Sequence, residues 1–221
     1  MCGRFALEVH IQLKLYEDFE ISNIPPTTPR YNVAPSQQVL AVREVDGQRE
    51  AAEFRWGLIP GWAKDMTIGY KMINARAETI REKPSFKQAF QKRPCLILAS
   101  GFYEWQKTPT GKQPVYFHLK DREVFGFAGL WEKWRSPEGK TVESCTIITT
   151  KANELVSDVH ERMPVIMGRS DHATWLSADE RKQEERFELL RPYPAREMAG
   201  YKVSTLVNSP KNDSPELIQS L

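Results

Sequence analysis

Cysteine is scarce in this 221-residue chain. The three present, at positions 2, 95 and 145, form no Cys-x-x-Cys pair. That spacing argues against a disulfide framework and a cysteine zinc site, and it suits a reducing, cytoplasmic setting. Long apolar runs are missing too. The longest, Cys95–Ala99, falls far below the ~18–20 residues that a helical membrane span requires, so no membrane partner is expected. The opening Met1–Phe5 reaches a charge at Arg4 and has no apolar signal core, which speaks against secretion. Glycine-rich phosphate loops and βαβ alternation are also lacking, so neither a Rossmann nor a P-loop fold is expected, and no cofactor or metal. Charge imbalance is slight: 31 Lys+Arg against 29 Asp+Glu leave +2. Any basic surface must therefore arise by local clustering. Glycine (12) and proline (15) stand at ordinary levels, which excludes collagen-like and low-complexity chains.

What is present reads as one domain over residues 1–221, of class α+β. A helix is predicted over Val9–Phe19, with Val9, Leu13 and Tyr16 on one stripe. A proline-rich loop, Ile21–Pro29, follows. Asp46-Gly47 between Gln38–Val45 and Arg49–Trp56 is a strong hairpin signal. A short helix at Ser85–Arg93 places Phe86, Ala89 and Phe90 on one face. Strands are then expected at Cys95–Gln106 (bent at Gly101), Val115–Lys120, Glu123–Trp131 and Val142–Thr149. The last feeds a helix from Asn153 to His160 that turns Leu155, Val156 and Val159 inward, and a polar helical tail covers Ser177–Leu190. Strands in the middle and helices on the flanks suggest a twisted antiparallel or barrel-like sheet.

The chemistry-bearing residues begin with Cys2. Trimming of Met1 would leave a 1,2-aminothiol, whose amine has an ordinary pKa near ~7.7–8.0 and whose thiol lies near ~8.5. Such a group condenses with an aldehyde to a Schiff base, and its sulfur then closes a five-membered thiazolidine at high effective molarity. Glu104, in Gly-Phe-Tyr-Glu-Trp, is a carboxylate among aromatics, expensive unless partnered and suited to a raised pKa. In a strand it shares a face with Phe102, while Tyr103 and Trp105 face the other way. His160, before Glu161-Arg162-Met163-Pro164, titrates near neutrality. Asn74, in Met-Ile-Asn-Ala-Arg-Ala-Glu-Thr, offers an amide to hold an amine or a sugar hydroxyl. Basic residues cluster at Arg76, Arg81, Lys83, Lys87, Lys92 and Arg93. Cations beside aromatics at Arg55-Trp56, Trp62-Ala63-Lys64 and Phe86-Lys87 suit a single-strand binder, whereas Trp131, Trp134 and Trp175 read as core.

Together these segments resemble the SRAP family, the SOS response-associated peptidase-like proteins that shield abasic sites in DNA. The resemblance rests on Met1–Phe5, Arg30–Pro35, Trp56–Trp62, Ile73–Thr79, Gly101–Trp105, Asp158–Pro164 and Val207–Asn212, in order and at family spacing. It implies a barrel-like, mainly antiparallel β core flanked by helices, with a positively charged groove for single-stranded DNA containing abasic sites. It further implies covalent capture of the ring-opened lesion by Cys2. Asn74 would position the adduct, and Glu104 and His160 would move protons. Arg4 and Arg76 would bind phosphates, Asn32 would join them as a DNA contact, and Trp62 would stack or wedge. Ala63 stands where some family members carry a second aromatic, so the resemblance does not extend to a two-aromatic wedge. A monomer acting at nucleoid DNA is expected. Weak lyase activity follows from the Schiff base. Two other readings stand beside this one: a cysteine peptidase or autopeptidase using Cys2, His160 and Glu104, and a non-covalent reader of modified DNA.

Overall fold

The computed structural model describes residues 2–8, 12–21 and 23–221. Among these the strands, in chain order, are β1 (Phe5–Leu7), β2 (Arg30–Val33), β3 (Gln38–Val45), β4 (Gln48–Trp56), β5 (Asn74–Arg76), β6 (Pro94–Ala99) and β7 (Gly101–Thr108). They continue as β8 (Gly111–Leu119), β9 (Phe125–Arg135), β10 (Thr141–Lys151), β11 (Arg162–Pro164), β12 (Ile166–Met167) and β13 (Met198–Lys202). The helices are α1 (Gln12–Phe19), α2 (Pro84–Lys92), α3 (Glu154–Ser157), α4 (His172–Leu176) and α5 (Gln183–Glu188).

The β3–β4 hairpin turns where Asp46-Gly47 predicts. Both residues have positive φ, 52° and 76°, as a two-residue hairpin turn with the right-handed strand twist requires. Pairing then runs without a slip from Val45↔Gln48 to Gln38↔Arg55. Longer-range pairing completes a ring. β10, β4, β3, β6 and β9 are hydrogen-bonded in that order, and β9 returns to β10 to close a five-stranded barrel. Only the β4–β10 contact in this ring is parallel, and β5 adds a second parallel partner to β10. A second sheet, ordered β13-β8-β7-β1-β2, is wholly antiparallel. The barrel-like α+β architecture expected from the sequence is thus the one observed.

The segment Cys95–Gln106 is not one bent strand. β6 belongs to the barrel and β7 to the second sheet, and the chain changes sheets at Ser100. Ser100 N donates to the Ala6 carbonyl at 2.7 Å, and its hydroxyl accepts from Glu8 N at 2.8 Å. Gly101 is needed at this crossing, because a Cβ there would lie 2.3 Å from the Tyr116 ring.

The two sheets share one core, in which Phe5 packs on Trp56 (5.2 Å between ring centres) and Phe102 on Phe127 (6.1 Å). On the barrel's other side, Leu40, Val42, Leu96 and Leu98 are covered by Leu15 and Phe19 of α1, Phe86 and Phe90 of α2, and Trp175 of α4. Each such large side chain contributes roughly 1.5–3 kcal/mol on burial. α2 matches its predicted face. Among the described side chains of α1, Leu15 and Phe19 turn inward and Tyr16 is half-buried, Phe19 docking on the His172 ring at 5.1 Å. The Leu13 side chain of the predicted stripe lies outside the described side chains. The predicted start of that helix, Val9, lies outside the described residues. α3 is shorter than expected. Asn153 caps it, accepting from Val156 N at 3.0 Å, but it ends at Ser157 and fully buries only Val156. Among the described residues no helix is long and apolar enough to cross a membrane.

Candidate active site

Cys2 enters just before β1, whose Phe5 is locked into the shared core, and the whole residue is buried. Its carbonyl accepts from Asn74 Nδ2 at 2.8 Å. Asn74 is held because β5 runs alongside β10 (Asn74↔Ile147). The preceding Ile73 carbonyl accepts from both Trp56 Nε1 (2.9 Å) and Ile147 N (3.1 Å). Asn74 Oδ1 is buried with no partner among the described residues, so an acceptor beside Cys2 stands ready for a donor. Burial pushes the Cys2 thiol far above its ordinary pKa, and the neighbouring Glu104 carboxylate adds to the shift. The resting sulfur is therefore a neutral thiol that needs a base.

Glu104 is close enough for its charge to act on that thiol. Strand alternation on β7 puts it on the Phe102 side, as the sequence predicts, where it is 2% exposed. Burial pushes its carboxyl up to about 7. It lines an open cleft of about 990 Å³ together with Gly3, Arg4, Trp105, His160 and Asn208. His160 does not end a helix as expected. It lies beyond α3, on the turn that leads into β11, and its Nδ1 accepts from Arg162 N at 3.0 Å. The Arg162 carbonyl oxygen lies 3.2 Å from the same nitrogen, so one residue's backbone holds the ring in place. Burial lowers the ring's pKa, so neutral imidazole is the form at pH 7.

Arg162 was not singled out from the sequence, although it lies within the His160 motif. It grips Glu78 in a two-pronged ion pair (2.6 and 3.0 Å) and the Thr149 carbonyl at 2.7 Å. Thr149 of β10 pairs with Arg76 on one side and Pro164 on the other. The segments carrying Asn74 and His160 are thereby fastened to one strand.

Arg4 donates from Nη1 to Asn32 Oδ1 and to the Val207 carbonyl, each at 2.7 Å. Asn32 itself is only 1% exposed, and its Nδ2 donates to the carbonyls of Ser209 (2.9 Å) and Asn212 (2.7 Å). The Asn32 side chain, expected to contact DNA, is thus turned inward. Its amide is spent tying Arg4 to the C-terminal loop. Arg76 is exposed at the end of β5, and Trp62 is 62% exposed; both lie outside the cleft lining. Trp62 lines a separate hollow with Lys64 and Lys71.

Tyr70, also 62% exposed, was missed, although an aromatic within the polar Asp65–Lys71 segment is a usable signal. Trp56 (0%) and Phe86 (8%), expected to stack on bases, are core residues instead. In the basic segment Arg81 pairs with Glu184 and Arg93 with Glu132, whereas Lys83, Lys87 and Lys92 stay exposed. No group of His, Cys, Asp and Glu among the described residues is arranged to hold a metal.

A closed small barrel, a flanking sheet and a buried second-position cysteine beside an asparagine and a carboxyl define an SRAP-type protein. The chain matches the model of SRAP, SOS response associated peptidase, over residues 1–210, and it belongs to that family. Among its relatives is abasic site processing protein YoqW of Bacillus subtilis (strain 168), 49% identical over 100% of both chains. Abasic site processing protein HMCES of Gallus gallus is 34% identical over 86% of this chain and 66% of its own. A crystal structure of a Bacteroides thetaiotaomicron protein superposes with a TM-score of 0.78 at 30% identity, covering 86% of this chain and 85% of that one.

Proposed function

We propose that this protein captures the ring-opened aldehyde of abasic sites in single-stranded DNA as a thiazolidine at Cys2, once Met1 has been removed. The relatives' names supply the lesion. The observation that carries the chemistry is Cys2 held by Asn74 at 2.8 Å beside a buried carboxyl whose pKa is about 7.

In this reading the Cys2 amine attacks the sugar aldehyde carbon, with neutral His160 accepting the proton that keeps the amine nucleophilic. Protonated Glu104 gives its proton to the departing hydroxyl, so water leaves and an iminium forms. The resulting Glu104 carboxylate then takes the thiol proton, and the sulfur adds to the iminium carbon. Aldehyde and aminothiol have become thiazolidine plus one water, and Glu104 is protonated again. A pKa near the working pH lets one group serve as acid and then as base. Arg4 and Arg76 hold phosphates, and Trp62 stacks on a base. Weak lyase activity accompanies capture, since the iminium acidifies the adjacent sugar carbon, and ring closure by sulfur competes with that elimination. Peptidase chemistry is confined to release of Met1.

The reading extends to one domain over residues 1–221, acting as a monomer at cytoplasmic nucleoid DNA. Three free, buried cysteines suit that compartment.

Mass spectrometry before and after mixing with abasic single-stranded DNA tests the proposal. The protein lacking Met1 should gain the oligonucleotide's mass less one water, Cys2→Ser should lose the stable adduct, and an N-terminal extension should abolish it. A protein that retains Met1 yet still bonds the lesion would overturn it.

A further inference from the structure

We infer that Lys107 and Lys112, facing each other across the β7–β8 hairpin, clamp backbone phosphates of the single strand that leaves the lesion on one side. This rests on the proposed capture at Cys2. β7 and β8 pair in register from Phe102↔Phe117 to Thr108↔Gly111, and Lys107 stands directly opposite Lys112. Like charges so placed oppose strand pairing. Both ammonium groups are exposed, and neither has an ion-pair partner among the described residues. The pair therefore does nothing for the hairpin's own stability and is available to an anion.

Its position supplies the rest. Both lysines line the cleft that also holds Glu104, His160 and Arg4; the lysines come from the β7–β8 hairpin, whereas Asp158 and Glu161, which line it too, come from the segment after α3. The cleft's lysines and its two acids thus come from different segments. A polyanion anchored at Cys2 is drawn along the hairpin and repelled from the turn after α3. Lys107 lies three positions beyond Glu104 on β7, ~10 Å at the strand rise of ~3.4 Å. Alternation puts it on the Trp105 side, and residues of both sides of β7 line the cleft. At a stacked single-strand spacing of ~3.4 Å, the phosphates met there belong to about the third nucleotide from the lesion.

The test uses an oligonucleotide whose abasic site is a tetrahydrofuran, which has no aldehyde, so binding is read without crosslinking. Binding of wild type and of the Lys107→Gln/Lys112→Gln double variant is titrated against salt. Removing two phosphate contacts should make the slope of log K against log salt shallower by about 1.4, equivalent to about 25-fold weaker binding at 0.1 M salt. Arginine at both positions should restore the slope. The loss should vanish with oligonucleotides cut back to fewer than about three nucleotides on one side of the lesion, and persist when the other side is trimmed. The double variant's Tm should equal or exceed that of wild type, since a repulsion is relieved. An unchanged slope, an equal loss with either truncation, or a lowered Tm would each overturn the clamp. Failure of wild type to crosslink abasic DNA would sink the capture reading instead, and the salt slope would remain a measure of the lysines alone.

Discussion

Replacing Glu104 by glutamine isolates the group on which the proposed chemistry turns. The carboxyl's pKa rises from 4.5 to about 7 because it is buried. Between those two values the folded protein holds a proton that the unfolded chain has already released. Native stability therefore falls as pH rises through that window and levels off above about 7. Each pKa unit is worth about 1.4 kcal/mol, so the full loss is about 3 kcal/mol. Glutamine has nearly the same shape and does not titrate. The stability of Glu104→Gln relative to wild type should consequently climb by about 3 kcal/mol between pH 4.5 and 8. Denaturant unfolding of both proteins across that range measures it, and taking the difference cancels every other titrating group. The same variant should crosslink abasic DNA about 100-fold or more slowly, within the span usual for loss of a general acid–base group. A difference in stability that stays flat from pH 4.5 to 8 would refute the reasoning, because Glu104 would then titrate as it does in the unfolded chain.

Asn74→Ala removes the 2.8 Å hydrogen bond to the Cys2 carbonyl. Adduct formation should slow by about 5- to 10-fold, the worth of one such bond, with adduct mass unchanged in a timed gel or mass-spectrometric assay. Trp62→Ala touches a side chain that is 62% exposed. Unfolding free energy should stay within about 0.5 kcal/mol of wild type, while single-strand affinity measured by anisotropy drops about 5- to 150-fold, as loss of one stacked base predicts. Asn32→Ala leaves the Arg4 guanidinium and the Ser209 and Asn212 carbonyls without their amide partner. It should lower unfolding free energy by about 2–4 kcal/mol in denaturant titration, and an unchanged midpoint would show that the C-terminal loop is not held this way.

The features that could be read from the chain are those set by neighbouring residues. Asp46-Gly47 specifies its hairpin because only residues tolerant of positive φ fit that turn. Alternation on β7 sends Glu104 to the Phe102 side whatever the sheet around it, and the Phe86, Ala89 and Phe90 stripe of α2 follows from helical spacing. The Cys2, Asn74, Glu104 and His160 motifs could be listed in order, but the distances between them could not. Those depend on β10, which runs beside β4 and β5 in parallel and beside β9 and β11 in antiparallel fashion.

Only the assembled structure decided that the chain changes sheets at Ser100, that Trp56 and Phe86 are core residues, and that Asn32 braces Arg4. It also decided that Tyr70 and Trp62 are both bared to solvent. Period and turn chemistry act over a few residues and leave a mark in the sequence. Which strands pair, and so which aromatic or amide ends up inside, is set by contacts between residues far apart in the chain, where burial of the shared core outweighs local preference.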